Sequence, residues 1–428
     1  MSTRLAICGG ERTIPEGVIQ PWPPIDDTDR QMVTASLDGH RHVFGENFEA
    51  VEKEFAAWNG NKFVAATNSG TAALHMCVAA CGCGIGDEVI VPAWSWPSSA
   101  TCVIHNDAIP VFVDIDFATM NIDVDKIEAA VTSRTKAILV VHLHGLAVAV
   151  DKVMDIAARH GLSVIEDACQ GHGALYKGRK AGAWGDCAGF SCNQNKLLCA
   201  GEGGFFVTDD EDLFVKGKAL WTFGETRPPV DDPKYHHYAM GWKYHNNDLV
   251  AAFARAQLRK LDGYLERIKE NVAVLAEQLR DVPCLILPIE PEHHAHNWYN
   301  YTIRFDMNAL GHEHDAAAFR DKIIEALTAE GVPNGAWQRF ILPGMTVFQA
   351  KNAYGMGHPW SSPHAAPVDY SLDQFPNARR HCDTHTCLVA ALRPPNGTEV
   401  ARLIGCAIRK VMENIRELES VGSQARTR

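Results

Sequence analysis

Between about residue 47 and residue 260, short apolar runs alternate with stretches whose apolar positions recur at helical spacing. The runs at 62–66, 88–92, 109–113, 136–142, 163–166, 188–192 and 204–208 predict strands. Segments 70–80, 124–130 and 151–160 predict helices between them. Such alternation implies an α/β architecture, a mainly parallel central sheet with helices on both faces. From 247 to 280 the pattern changes. Leu261, Leu265, Ile268, Val272, Leu275 and Leu279 step by four and three, so one long helix is predicted whose stripe joins two domains. Beyond it, HNWYNYTIRFD predicts a strand that opens a smaller C-terminal α+β domain, and 398–415 predicts its closing helix.

The expected layout is therefore an irregular, proline-rich arm at 1–30, a large domain at 31–265 and a small domain at 266–428. Segment 222–244 is rich in Pro, Asp, His and Tyr and has no period, which predicts an active-site or subunit-contact loop. A length of 428 residues fits two domains better than one core. The net charge of −12 argues against nucleic acid and against an anionic membrane. It leaves a small phosphorylated ligand open, since such a ligand reads only the field of its pocket. No apolar run suits a signal peptide or a bilayer span, so a cytoplasmic protein is expected, its 13 cysteines present as reduced thiols.

Candidate chemistry centres on FSCNQNKLLCAGEGG, where Lys196 stands between a strand end and a glycine cluster. A Schiff-base lysine needs that placement, its amine at the mouth of a sheet where glycines let backbone approach a cofactor. A solvated surface lysine would leave the same trace. Asp167, just past the apolar run Leu162-Ser163-Val164-Ile165, supplies the complementary half of a pyridoxal phosphate (PLP) site. A carboxylate at the carboxyl end of a strand can hold the ring nitrogen of PLP protonated; the other readings are a helix N-cap or a buried ion pair. Thr67-Asn68-Ser69-Gly70-Thr71 ends a strand and opens a helix, offering free N–H groups and hydroxyls to a phosphate, or ordinary capping by Ser69. Trp96 follows another strand, where an indole can stack on a pyridine face, pack in a core or meet another subunit.

Three segments are set aside. Gly82-Cys83-Gly84-Ile85-Gly86 follows a predicted helix and precedes a strand, the reverse of a dinucleotide loop. Cys81 and Cys83 have no second pair at zinc spacing. The cluster from His381 to Cys387 is read as a polar strand or turn rather than a metal site.

In order and spacing, GDEVIVPAWSW, FVDIDFATMNID, VHLHGL, IEDACQGHGA and FSCNQNKLLCAGEGG resemble the DegT/DnrJ/EryC1/StrS family of PLP-dependent aminotransferases, which aminate keto sugars and cyclitols. The resemblance covers roughly residues 18 to 275. It implies fold type I and a homodimer with shared active sites. It implies Lys196 as the Schiff-base lysine and proton shuttle, Asp167 at the pyridine nitrogen and Gln170 near the ring 3-hydroxyl. Ser69, Gly70, Thr71 and Ser191 would bind the phosphate and Trp96 would stack on the ring, while His172 matches a recurrent position without an assigned role. Lysine at 196 separates the chain from the dehydratase offshoot, which carries histidine there.

One departure stands out. Where the family has Gly-x-Asn-Tyr/Met-Arg, this chain reads Gly241-Trp242-Lys243-Tyr244-His245. Lys243 replaces the asparagine that reaches the neighbouring subunit's phosphate, and a lysine can hold phosphate as a point charge. WPPIDDTDR and the Lys196 segment are similar to two subgroups. One comprises glutamine-dependent transaminases of scyllo-inosose-type cyclitols in aminoglycoside and other antibiotic biosynthesis; the other is the 3-amino-5-hydroxybenzoate synthases. The implied donor is L-glutamine or L-glutamate and the implied acceptor a keto-cyclitol or keto-sugar, with substrate choice expected in 222–245 and 334–362. Rival readings are a PLP lyase using Cys192 or Cys199, and a regulatory protein that kept the fold and lost catalysis, in view of Lys243 and His245.

Overall fold

The computed structural model describes residues 4–225, 237 and 239–420. All seven predicted strands form one sheet, with ends within one residue of the predicted ones. Across the sheet they run Phe63–Thr67, Gly204–Thr208, Cys187–Ser191, Ser163–Asp167, Thr135–Val141, Glu88–Pro92, Ile109–Val113. Gly204–Thr208 is antiparallel to both neighbours, and the remaining pairings are parallel. Six strands therefore point the same way and deliver their carboxyl ends to one edge, where open α/β sheets bind ligands. Helices cover both faces, so the strands are buried on both and read as unbroken apolar runs.

A second sheet orders Leu285–Ile286, Tyr301–Phe305, His385–Leu388 and Asn334–Gly335, all antiparallel. Of the segment HNWYNYTIRFD, only Tyr301–Phe305 is strand. The residues before it turn back toward the first sheet, with Trp298 at φ 57°. The closing helix is Thr398–Glu413.

Three expectations are corrected. The single helix over 247–280 is two, Asp248–Leu258 and Leu261–Leu279. The first packs an alanine-rich face on helices Asp27–Asp38 and Glu46–Asn59, and the second lays its leucine stripe on Thr398–Glu413. At the break, Lys260 reaches Asp26 and, at 2.6 Å, Asp29. The arm is not wholly irregular. Asp26 and Asp29 form a capping box that starts a helix at Asp27, and Leu5 and Ile14 are buried. The cluster from His381 to Cys387, read as a polar strand or turn, is a strand only from His385 and is largely buried: it ends helix Pro376–Thr384 and enters strand His385–Leu388, inside the second sheet. Among the described residues no group of side chains is placed to hold a metal ion, and no helix is long and apolar enough to cross a membrane.

Candidate active site

At the shared edge of the first sheet, five strand ends and part of the second sheet's segment enclose a cavity of about 380 Å³. Ser69, Gly70, Thr71, Trp96, Asp167, Gln170, Ser191 and Lys196 all line it, as the sequence predicts. Lys243 does not. Its backbone is bridged to Thr222 and accepts from Asn68 at 3.2 Å, and its side chain is exposed. His245 packs against Phe44 and Trp221, away from the cavity lining. The predicted loop at 222–244 lies partly outside the described residues; its base is tied down by Trp242 N–H to Leu220 O and Tyr244 N–H to Trp221 O.

Lys196 sits in a hairpin between strands Cys187–Ser191 and Gly204–Thr208. The neck is closed by Ala200 N–H to Cys192 O at 2.8 Å and Gln194 N–H to Gly201 O at 2.8 Å. Its Nζ donates to Tyr299 Oη at 3.3 Å and lies 4.7 Å from that ring's centroid. Burial pushes the ammonium down, but Tyr299, Cys169 and Asp167 push it up, and the net displacement is upward. Asp167 is buried with both carboxylate oxygens already engaged. Ser99 donates to Oδ2 at 2.6 Å and Cys169 N–H to Oδ1 at 3.1 Å, while Ser95 and Ser99 share a further bond of 2.7 Å.

The phosphate-sized corner is built by close approach. A Cβ on Gly70 would lie 2.7 Å from Ser191 Cβ and 2.8 Å from Cys169 Sγ, so only glycine lets the helix start against the strand end. Ser69 caps this helix through Ala72 N–H at 3.1 Å, and Thr71 shares a hydrogen bond of 2.7 Å with Ser98. The helix runs eleven residues, Gly70–Ala80, and its first turn points free N–H groups at the corner. An amine, a fixed carboxylate and an anion cup lined by hydroxyls are the three features PLP requires, so the residues present fit that cofactor.

Gln170 accepts from His144 N–H at 2.7 Å through its side chain, which aims its amide into the cavity. His172 is fully buried, packs on Phe190, and has neither ring nitrogen bonded. Burial, with Lys196 nearby, lowers its pKa to about 3, so it is neutral. Trp96 is 53% exposed and stands at the cavity mouth beside Trp337, ring centroids 6.3 Å apart. Cys192 and Cys199 are buried outside the lining, and burial raises both thiols, which leaves the lyase reading without either of the sulfurs it names.

Sequence reading missed Ser99, Tyr299 and Trp337. Ser99 sits in the SWPSSA run just after a strand, where a hydroxyl near the sheet edge was a usable signal. Tyr299 and Trp337 arrive from the second sheet, and their own segments carry no trace of the first.

Comparison with known proteins gives the same answer. Residues 23–356 match the model of the DegT/DnrJ/EryC1/StrS aminotransferase family. The chain is 32% identical over 446 residues to the L-glutamine:scyllo-inosose aminotransferase of Streptomyces griseus, covering 98% of this chain and 100% of that one. It is 37% identical over 312 residues to the GDP-perosamine synthase of Caulobacter vibrioides, covering 72% of this chain and 81% of that one. The crystal structure of 3-amino-5-hydroxybenzoic acid synthase superposes with a TM-score of 0.82 at 27% identity, covering 92% of this chain and 98% of that one. The chain belongs to the DegT/DnrJ/EryC1/StrS aminotransferase family, and it is a PLP-dependent aminotransferase of fold type I.

Proposed function

We propose that the protein moves an amino group from L-glutamine or L-glutamate to a keto-cyclitol, or a closely related keto-sugar, within antibiotic or other secondary-metabolite biosynthesis. The observation that carries this reading is one pocket in which Lys196 Nζ and the Asp167 carboxylate share walls with the Gly70–Ser191 cup. The acceptor class is supported by the remaining lining. Asn193, Asn195 and Glu202 offer donors and acceptors for ring hydroxyls, and Trp96 and Trp337 offer faces for ring C–H groups. Among the described residues of this protomer, Lys196 is the sole lysine or arginine in the lining, which favours a free polyol over a nucleotide-linked sugar whose diphosphate would seek cations. The scyllo-inosose enzyme of Streptomyces griseus also aligns over its whole length.

When bound, PLP supplies an aldehyde that exchanges amino groups and a ring that accepts an electron pair. The protein's part is to hold and move protons. Lys196 Nζ is the amine within reach of the pocket's centre, where it would take a proton from the donor's α-carbon and return one to the acceptor's carbon. Asp167, its orientation fixed by Ser99 and Cys169, keeps a proton on the pyridine nitrogen. Ser69, Gly70, Thr71 and Ser191 would hold the phosphate, Gln170 would stand near the 3-hydroxyl and Trp96 would cover the ring. We read residues 31–265 as the cofactor-binding domain, 266–428 as the small domain and 1–30 as the arm. A homodimer is proposed in which Lys243, exposed on this protomer, serves the neighbouring site. The thirteen free cysteines suit a cytoplasmic setting.

Purified protein with PLP should absorb in the visible, and L-glutamine should bleach it. A keto-cyclitol should restore the band where GDP- and TDP-keto-sugars and a dehydroshikimate do not. Restoration by the last alone would transfer the protein to the 3-amino-5-hydroxybenzoate group. Lys196→Ala should lose band and turnover together, and turnover at the wild-type rate in that variant would end the proposal.

A further inference from the structure

Arg393 is almost completely buried, and among the described residues no carboxylate pairs with it. Its Nη1 donates to Asn195 O at 2.7 Å and its Nη2 to Tyr299 O at 2.7 Å, leaving Nε without a partner. The guanidinium lies 5.0 Å from the Tyr299 ring centroid and 5.4 Å from that of Trp22. A buried cation held only by carbonyls and ring faces is a costly way to fill a core, where an apolar side chain of similar volume serves as well or better. Its contacts suggest what the cost maintains. Asn195 O belongs to the residue before Lys196, and the next carbonyl, Lys196 O, is taken by Trp22 Nε1 at 3.1 Å. Tyr299 presents its ring to Arg393 and its ring and hydroxyl to Lys196 Nζ. The lysine is thus gripped along its backbone from one side and spaced by Tyr299 from the other.

The gripping residues are themselves fixed. Asn271 Nδ2 donates to Leu392 O and Asn396 O, both at 2.9 Å, which holds the turn carrying Arg393. Asn396 in turn exchanges hydrogen bonds with the backbone of Gln20, two residues before Trp22. The arm, the interdomain helix and the C-terminal segment therefore converge on one loop.

We propose that Arg393, with Trp22, is a positioning residue for Lys196, setting where its Nζ stands without touching substrate or cofactor. This rests on Lys196 being the residue that bonds PLP, and the experiment separates the two ideas. Apoprotein is mixed with PLP and quenched with borohydride over time. Nζ condenses with the aldehyde with loss of one water, hydride fixes the product as a secondary amine, and mass spectrometry locates it. In parallel, affinity for pyridoxamine 5′-phosphate, which forms no bond to lysine, is measured by tryptophan fluorescence. Arg393→Met should slow capture at Lys196 by about tenfold or more, in the range a misplaced reacting group costs, while pyridoxamine 5′-phosphate affinity stays within about twofold. Arg393→Lys, which can reach one carbonyl but not both, should fall between. Trp22→Phe, which removes the bond to Lys196 O and keeps a ring beside Arg393, should slow capture by a smaller factor. Capture at the wild-type rate in these variants overturns the inference, and so does an equal loss of both readouts, which marks a merely structural role. If Arg393→Met does not fold, Arg393→Lys and Trp22→Phe decide. Capture by the wild type at some other lysine would overturn the Lys196 reading instead.

Discussion

The buried histidines predict an acid weakness that starts well above the carboxylate range. His75, His172, His296 and His385 are all buried, and burial lowers their pKa values to about 4, 3, 3 and 3. His144 and His381 shift in the same direction. Each is neutral in the folded protein, yet after unfolding each titrates near 6.5. Below that value the unfolded chain takes up protons the native state refuses, so stability is complete above about pH 6.5 and is lost as pH falls toward the folded values. At pH 5.5 the loss is about 1.4 kcal/mol per histidine, or roughly 5 to 6 kcal/mol for the four. That is a large part of a typical folding free energy of about 5–15 kcal/mol. Carboxylates whose pKa is lowered, such as Glu166 and Glu330, lose stabilisation only as pH falls below about 4.5, while Glu52 and Asp383, raised by burial, offset part of the histidine loss as they protonate. Guanidinium midpoints, followed by circular dichroism and tryptophan fluorescence at pH 7.5 and 5.5, should drop steeply. His296→Gln and His385→Gln should each reduce that drop by the share of one histidine. A midpoint that holds or rises from pH 7.5 to 5.5 would refute the reasoning, as would two variants with the full wild-type drop.

Gly70→Ala should fold yet bind PLP at least tenfold more weakly, because its Cβ must push Ser191 and Cys169 apart by amounts that cost about 1–3 kcal/mol; absorbance titration at 25 °C checks this. Ser99→Ala removes a bond of 2.6 Å to a buried carboxylate, a change of about 1.5–3 kcal/mol for charged partners. It should lower kcat by roughly tenfold to a hundredfold with little change in KM, read by stopped-flow bleaching with L-glutamine.

Much of the first sheet was legible because strands covered on both faces are mostly apolar along their length, and such runs stand out. The break at Arg259–Lys260 was not, because the leucine stripe continues in phase up to it. What interrupts the helix is Lys260 turning to Asp26 and Asp29, partners from the other end of the chain. The cluster from His381 to Cys387 was only half legible, its strand but not its burial or its helical start, for a related reason. Histidine is polar in composition, yet here His381 and His385 stack at 4.3 Å against Trp94, deep in the protein, and behave as neutral aromatic rings. In the site, Lys196, Asp167 and Gly70 were readable because each lies at or just past a strand end, whereas Ser191 came only with the family resemblance. Ser99 acts on Asp167 from 68 residues away, and no local pattern encodes that distance.

The lysine itself shows why placement outranks burial. A shuttle must be neutral when it accepts a proton, and burial alone pushes Lys196 that way. In the pocket as the protein builds it, Asp167, Tyr299 and Cys169 outweigh burial and favour the ammonium. Neutrality is therefore not a property of the polypeptide alone. Tyr299 is the largest of the groups that favour the ammonium, with Cys169 and Asp167 behind it, and a positive charge facing Asp167 would weaken the carboxylate's part of that hold. On the proposed reading Asp167 would have two electrostatic tasks, helping to keep Lys196 charged in the bare pocket and pairing with a ring cation once one is present. The bonds from Ser99 and Cys169 matter because they hold its charge in place through that exchange.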